Sequence, residues 1–426
     1  MENSNLSSNI PKSQFQPLSF GIQWLIVFLW ISFFVGSASA IFLFALEKVS
    51  QLRELNSWLV YWLPMAGFCI GWFYFHYGKN VSKGNNLLLE EIHSPTSIIP
   101  IRMAPFVFLG TLMTHLFGGS AGREGTAVQM GGAIAHQLTR LIPFQIKDQQ
   151  TLIILGISAG FASVFGTPLA ATVFSIEVIR IGEYRWRLFF PALITAYLSH
   201  WVCLLWGIGH SHYPKIPFEL SRTLILCLVG ISILSGLVAR TFSLVVHKVS
   251  EWFSIWIGYS PLRPLVGGAI IVSLVGLGLN PIYLGLGLPT IQLAFHSPLP
   301  MESFLLKFLL TTVTIGSGFK GGEVTPLFFI GASLGNLFGF FDPTHLSLFV
   351  AIGFISVFAG ASNTPLASAI MGIELFGWEA GVLFFFSTWI AFIFSGHTSI
   401  YQSQLIGKTK FFSKSQDLGK KISEIK

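Results

Sequence analysis

Charge is what this chain has least of: Asp, Glu, Lys and Arg make up 10% of its 426 residues, against about 25% in an ordinary soluble domain. So few charges exclude a water-exposed surface of normal extent. Cysteine is nearly absent too. Cys69, Cys203 and Cys227 each lie in an apolar stretch, with none of the paired spacings of a zinc or redox site. They read as small core residues, and no disulfide, metal or other cofactor is expected. The first apolar run is long, rich in Trp and Phe and without a clear short core, so it does not read as a cleaved signal peptide and is expected to remain as a membrane span.

What is present is apolar. Hydrophobic residues make up 52% of the chain, and the mean hydropathy is +0.69. The charge-free windows 13–46, 188–214, 264–301, 343–373 and 380–407 each exceed the roughly 20 residues a spanning helix needs. The expected fold is all-α and polytopic. Forty-three glycines and 20 prolines are scattered through these stretches, predicting broken and re-entrant helices, which a membrane protein tolerates only where protein or a water-lined cavity satisfies the freed backbone.

Three regions follow. Residues 1–17 are polar and rich in Ser and Asn, a disordered cytoplasmic lead-in. Residues 18–407 form the membrane domain. Residues 408–426 are a basic tail with Lys408, Lys410, Lys414, Lys420, Lys421 and Lys426, placed on the cytoplasmic side by the positive-inside rule. Beside a final span this topological reading outweighs nucleic-acid or calmodulin binding, and no nucleic-acid partner is expected.

Within this apolar chain Gly118-Gly-Ser-Ala-Gly-Arg-Glu-Gly-Thr126 places one carboxylate, Glu124, in a glycine-rich turn entering a hydrophobic segment. An acid at bilayer depth is costly unless paired, protonated or solvated, so it marks a route for ions or protons. The glycines free backbone N–H groups to face a ligand, and a following helix adds its positive dipole end. That chemistry suits an anion.

The chain also repeats itself. Gly166-Thr-Pro-Leu-Ala-Ala-Thr-Val-Phe-Ser-Ile-Glu177 returns as Asn363-Thr-Pro-Leu-Ala-Ser-Ala-Ile-Met-Gly-Ile-Glu374, and upstream Gly122-Arg-Glu-Gly-Thr126 returns as Gly321-Gly-Glu-Val-Thr325. Two homologous halves, roughly 80–215 and 265–400, are predicted, with a binding site near the membrane midplane between them. Two helix N-termini can converge there and bind an anion without a fixed cation. Arg123 is expected to tie neighbouring carbonyls or a loop rather than touch the anion, because its charge beside Glu124 would hold that acid ionised. Glu177 and Glu374, at equivalent helix ends, are expected to be structural.

These motifs resemble the CLC family of chloride channels and transporters, and within it the branch that exchanges fluoride for protons. Gly122-Arg-Glu-Gly-Thr126 is similar to the family's Gly-Arg-Glu-Gly-Pro, and Gly318-Phe-Lys-Gly-Gly-Glu-Val-Thr-Pro-Leu-Phe-Phe-Ile-Gly331 to its Gly-x-Phe-x-Pro region in the fluoride form. The resemblance spans about residues 80–405 and implies two inverted-topology repeats. Asn85 stands where the chloride pattern has a serine, Val178 where chloride/proton exchangers carry an inner proton-transfer glutamate, and Thr126 and Thr325 where that pattern has proline or a small apolar residue. An amide with two donors suits a small, strongly hydrogen-bonding anion.

The resemblance implies that Glu124 is the external gating and proton-carrying acid. It places Asn85, Gly122, Arg123, Gly125, Glu323, Val324, Thr325 and Tyr401 around the anion, with the N–H groups of Glu323 and Val324 as a second helix-end contact. Fluoride and protons are the implied partners, with chloride as the alternative ion, in a homodimer with one pathway per subunit in the cell membrane and both termini cytoplasmic. Simpler readings stay open: Asn85 as a loop cap, Tyr401 as an interfacial aromatic, Glu323 as an acid paired with Lys320. A chloride/proton exchanger or a chloride channel is the rival function. Gly118-Gly-Ser-Ala-Gly122 also fits the Gly-x-Ser-x-Gly turn of a serine hydrolase, with His115 or His136 as base. That reading leaves the repeat unexplained, and the chain is not expected to be an enzyme.

Overall fold

The computed structural model describes residues 20–141, 146–211, 213–216, 218–410 and 415–425. The predicted lead-in 1–17, and Lys414 and Lys426 of the tail, lie outside them. Among the described residues sixteen α-helices run in two series of eight. The first is α1 (Phe20–Leu55), α2 (Leu63–Tyr77), α3 (Asn85–His93), α4 (Met103–Leu116), α5 (Glu124–His136), α6 (Ile146–Phe165), α7 (Pro168–Glu177) and α8 (Phe189–Leu205). The second is α9 (Arg222–Trp256), α10 (Leu262–Gly276), α11 (Leu288–Ala294), α12 (Ser303–Gly316), α13 (Val324–Leu337), α14 (Leu346–Ser362), α15 (Pro365–Phe376) and α16 (Gly381–Phe394). Long, short and very short helices fall in the same order in both series. The repeat therefore takes in α1 and α2, which precede the half-boundary legible in the sequence.

The repeated Thr-Pro-Leu-Ala explains the sharpest break. Helix α6 stops at Gly166, whose φ is 82°, and Pro168 starts α7 at its first position, where its missing N–H costs nothing. In the second copy Asn363 takes the glycine's place with φ 59°, a left-handed conformation unusual for a side chain. Its Nδ2 donates to Thr398 O at 2.8 Å and Gln404 Oε1 at 2.9 Å, which offsets the strain.

The glutamate that closes each copy reaches into the other half. Glu177 accepts from Leu366 N–H at 3.1 Å and Ala367 N–H at 2.8 Å at the head of α15. Glu374 accepts from Leu169 N–H at 3.0 Å and Ala170 N–H at 2.7 Å at the head of α7. Each acid satisfies two orphan donors and meets the positive end of a dipole. The structural reading of both residues agrees with this geometry, and the exchange ties the two halves together.

The four helices nearest the centre pack backbone to backbone. A Cβ on Gly131 of α5 would come within 2.2 Å of Gly156 O on α6, and one on Gly331 of α13 within 2.2 Å of Gly353 O on α14. Small residues at these crossings let broken helices approach closely, as membrane interfaces require. Residues Leu348 to Ser362 of α14 are all buried, so this helix is wrapped by protein, while Leu25, Phe33, Trp62, Trp201 and Phe386 face outward. Five helical segments are long and apolar enough to cross a membrane and the remaining apolar ones are shorter, among the described residues. This is a multi-pass membrane protein with broken helices, as the glycine and proline content predicts.

The tail does not hang free. Strand β1 (Arg180–Ile181) pairs in parallel with β2 (Leu405–Ile406), and Gly407 and Lys408 N–H both donate to Ile181 O. Lys410, expected in water, is buried. Its Nζ donates to Asn363 Oδ1 and, at 2.8 Å, to Ser395 Oγ, and it lies 4.0 Å from the centre of the Phe392 ring. Counting tail lysines cannot anticipate this, because docking the tail replaces the water around one of them.

Candidate functional site

The two glycine-rich turns meet. Gly122 N–H donates to Gly322 O at 2.5 Å and Gly322 N–H to Gly122 O at 2.8 Å, a short antiparallel bridge between residues 200 positions apart. No larger residue fits: a Cβ on Gly122 would sit 2.9 Å from Thr325 N, and one on Gly322 would sit 2.8 Å from Gly125 N. Helix α5 begins two residues after Gly122 and α13 two residues after Gly322, so both N-termini open at one point.

Glu124 lies there with no exposed surface. Its Oε2 accepts from Thr325 N–H at 3.1 Å and from Thr325 Oγ1–H at 2.5 Å. The carboxylate thus occupies the α13 N-terminus, where a free anion would otherwise be held. The Thr325 hydroxyl also accepts from Arg123 N–H at 3.4 Å. The helix-end N–H engaged is that of Thr325; those of Glu323 and Val324 precede it in the same turn. Thr126 is turned aside, its Oγ1 2.7 Å from Thr111 Oγ1.

Arg123 departs from expectation. Its Nε stands 3.6 Å from Glu124 Oε1, and neither atom has a hydrogen-bond partner among the described residues. The guanidinium balances the acid instead of bracing a loop, because the turn leaves the two side chains on the same side of the α5 head.

Two cavities open among the neighbours of Glu124, which itself lines neither. One, of about 420 Å³, is lined by Asn85, Lys320, Glu323, Tyr401 and Gln129 among others. The other, of about 300 Å³, is lined by Arg123 with Glu47, Arg53, Glu54 and His115. Asn85 starts α3 after Gly84, and a Cβ on Gly125 would be 3.1 Å from its Nδ2, so the amide packs against the α5 turn. Asn85 Oδ1 is buried without a partner. Tyr401 is 5% exposed, its ring 6.4 Å from that of Phe174. Its loop is held by Tyr401 N–H to Ser399 Oγ, Ser399 Oγ–H to Gln404 Oε1, and Gln404 Nε2 to Val178 O and Ser362 O.

Glu323 forms no ion pair with Lys320 among the described residues; the Lys320 ammonium lies 4.2 Å from the centre of the Tyr74 ring. Every predicted site residue thus lies at the paired turns, in the larger cavity, or, for Arg123, in the smaller one. Gly322, the Glu47–Arg53–Glu54 wall from α1, and Gln404 were not foreseen. Gly322 had a signal in the repeat, since Gly321-Gly-Glu-Val-Thr325 sets it against Arg123 of the first glycine-rich turn. The α1 residues had none.

Among the described residues neither histidine of the hydrolase pattern bonds Ser120. Ser120 Oγ lies 2.8 Å from Thr311 Oγ1. His115 bonds the carbonyls of Thr111 and Ala121, and His136 Nδ1 accepts from Ile99 N–H.

A fold of two intertwined eight-helix halves whose broken helices aim their N-termini at one buried acid defines an ion-transport protein of the membrane. The family profile described as voltage gated chloride channel matches residues 66–396, and the chain belongs to that family, the CLC family. It is 43% identical over 406 residues to a chloride/fluoride channel protein of Pseudomonas syringae pv. tomato, covering 93% of this chain and 89% of the relative. It is 28% identical over 295 residues to an H(+)/Cl(-) exchange transporter ClcA of Salmonella typhimurium, covering 64% and 61%. The crystal structure of a CLC-type fluoride/proton antiporter superposes with a TM-score of 0.87 at 34% identity, over 92% of this chain and 100% of the other. A slow cyanobacterial Cl−/H+ antiporter shares the fold with a TM-score of 0.76 at 20% identity, over 88% and 94%.

Proposed function

We propose that the chain is a fluoride/proton antiporter that exports fluoride as protons enter, with Glu124 as the gating and proton-carrying acid. The observation that carries this reading is the seat of Glu124: a buried carboxylate on the N–H and hydroxyl of Thr325, with a cavity lined by its neighbour Arg123 and another lined by Glu323. An anion that takes those donors must expel the carboxylate. Out of its seat and still inside the protein, the acid is stabilised by taking a proton. Anion and proton therefore compete for one place and move in opposite directions.

Fluoride suits the donors available. It is small and forms strong hydrogen bonds, and the site offers an Asn85 amide, hydroxyls of Thr325 and Tyr401, and backbone N–H groups of Gly125, Glu323, Val324 and Thr325 at the two turns, with Gly122 bridging the turns through Gly322. The 34% identity to a fluoride/proton antiporter over 92% of the chain supports the same ion and coupling. Val178 offers no acid for an inner proton route. Fluoride, whose conjugate acid is weak, instead helps pass the proton inward through the larger cavity past Asn85 and Tyr401 while itself leaving outward, with Glu323 as a second carboxylate on the cavity wall. Arg123 acts through Glu124 from the opposite side. On this reading the protein works as a homodimer in the cell membrane with one pathway per subunit, its termini cytoplasmic because the tail is basic, and it is not an enzyme.

The deciding experiment places purified protein in liposomes loaded with fluoride or chloride and follows anion efflux and internal pH together. Fluoride efflux with proton uptake supports antiport. Chloride efflux of equal rate without proton movement would instead establish a passive chloride pathway, as the name of the Pseudomonas syringae relative allows.

A further inference from the structure

A third cavity lies away from the pathway, where the end of α3, the β1 segment and the docked tail meet. It measures about 360 Å³, and its polar lining is His93, Arg180, Glu183, Tyr184, Arg185 and Lys421, with Ser94 at its edge. Three permanent cations face one carboxylate, which Arg180 Nη1 already engages at 3.0 Å. Arg185 and Lys421 form no ion pair among the described residues. Among the described residues Arg180 Nε and His93 Nε2 are buried with no hydrogen-bond partner. Burial, and after it the charges of Arg185, Lys421 and Arg180, push the His93 imidazole down to about 4. Three like charges, with one carboxylate between them, therefore converge on one uncharged ring, an arrangement that a further negative group would relieve.

We infer that this cavity binds a phosphate group, from an anionic lipid headgroup or from a free phosphate. Two guanidinium groups, one with an orphaned nitrogen, and an ammonium present several donors around one volume. That pattern matches the several oxygens of a phosphate rather than a single halide ion. Lys421 comes from the tail and Arg180 from the strand that the tail pairs with, so an occupant would bridge tail and membrane domain. Tyr184 links the cavity to the fold's centre, its hydroxyl donating to Glu177 Oε1 at 3.2 Å. The inference is independent of which ion is transported.

The test uses the full chain. In detergent, inorganic phosphate is titrated and binding followed by calorimetry; in parallel, protein in mixed micelles is offered phosphatidylglycerol or phosphatidylcholine and retained lipid is counted by native mass spectrometry. Arg185→Gln/Lys421→Gln should weaken whichever interaction occurs by about tenfold, as loss of charge-assisted hydrogen bonds predicts. Arg185→Lys, which keeps charge and loses the fork, should fall between. Lys420→Gln, paired with Asp417 and outside the lining, should change nothing. If the double variant does not fold, Lys421→Gln alone carries the comparison. Phosphate binding lost in the variant assigns a free phosphate. Phosphatidylglycerol retained over phosphatidylcholine, without phosphate binding, and lost in the variant assigns a headgroup. No binding in either arm, or binding equal in the variant, overturns the inference.

Discussion

Glu124 and Thr325, 201 positions apart, are joined by two hydrogen bonds to one carboxylate oxygen, 3.1 Å from the backbone and 2.5 Å from the hydroxyl. The acid of the first half is held by the helix of the second. Whatever displaces it must offer Thr325 a better acceptor.

Glu124→Gln keeps the shape of the side chain and removes its ability to carry a proton. Fluoride-driven proton uptake in liposomes should fall to background, while any remaining fluoride movement becomes insensitive to the pH gradient. Proton uptake at the wild-type rate would remove Glu124 from the proposed mechanism.

Thr325→Val deletes the hydroxyl donor and leaves the N–H. A hydrogen bond to a charged group contributes about 1.5–3 kcal/mol, so the seated state should lose roughly ten- to hundredfold in population relative to the displaced one. More fluoride should then pass per proton, read as a changed flux ratio, and Thr325→Ser should restore the wild-type ratio. Equal ratios in all three proteins would show that the hydroxyl does not hold the gate.

Asn85→Ser returns the chloride-type residue to the loop packed against Gly125. The expected result is a smaller preference for fluoride over chloride in paired efflux assays, with proton coupling through Glu124 retained. A preference that does not move would place ion choice elsewhere in the cavity.

Glu177→Ala strips two N–H groups at the head of α15 of their acceptor. Each buried donor left unsatisfied costs about 1–3 kcal/mol, and Glu374→Ala should cost a similar amount at α7. Thermal unfolding in detergent should drop for both. Because α7 and α15 pack together, the double variant should lose less than the two losses combined.

Gly122→Ala drives a methyl to within 2.9 Å of Thr325 N. Backbone cannot yield as a side chain can, so this overpacking should cost about 1–3 kcal/mol and reduce transport, while Gly209→Ala, with open space around it, should be neutral in both assays.

Several of these relationships begin in patterns that are visible locally. Glu124 stands out because an acid in a glycine-rich turn of an apolar segment has few structural uses. Thr-Pro-Leu-Ala followed by Ile-Glu marks the two copies because turn chemistry needs the same residues in each. Helices α1 and α9 carry no such marker: they are apolar nearly throughout, so one cannot be matched to the other by residue type, and the eight-helix extent of each half appears only in the order of elements.

Sequence alone determined that this chain lies in a membrane, that its helices are broken, that it is two copies of one plan, and that Glu124 is the acid to explain. Composition and spacing act locally, and each of those properties is local. Tertiary structure decided the partners: Gly122 against Gly322, Glu124 on Thr325, Glu177 and Glu374 exchanged between halves, Arg123 beside Glu124, and Lys410 buried against Asn363, Ser395 and Phe392. Those contacts arise from how two halves interlock. No pattern within either half contains them.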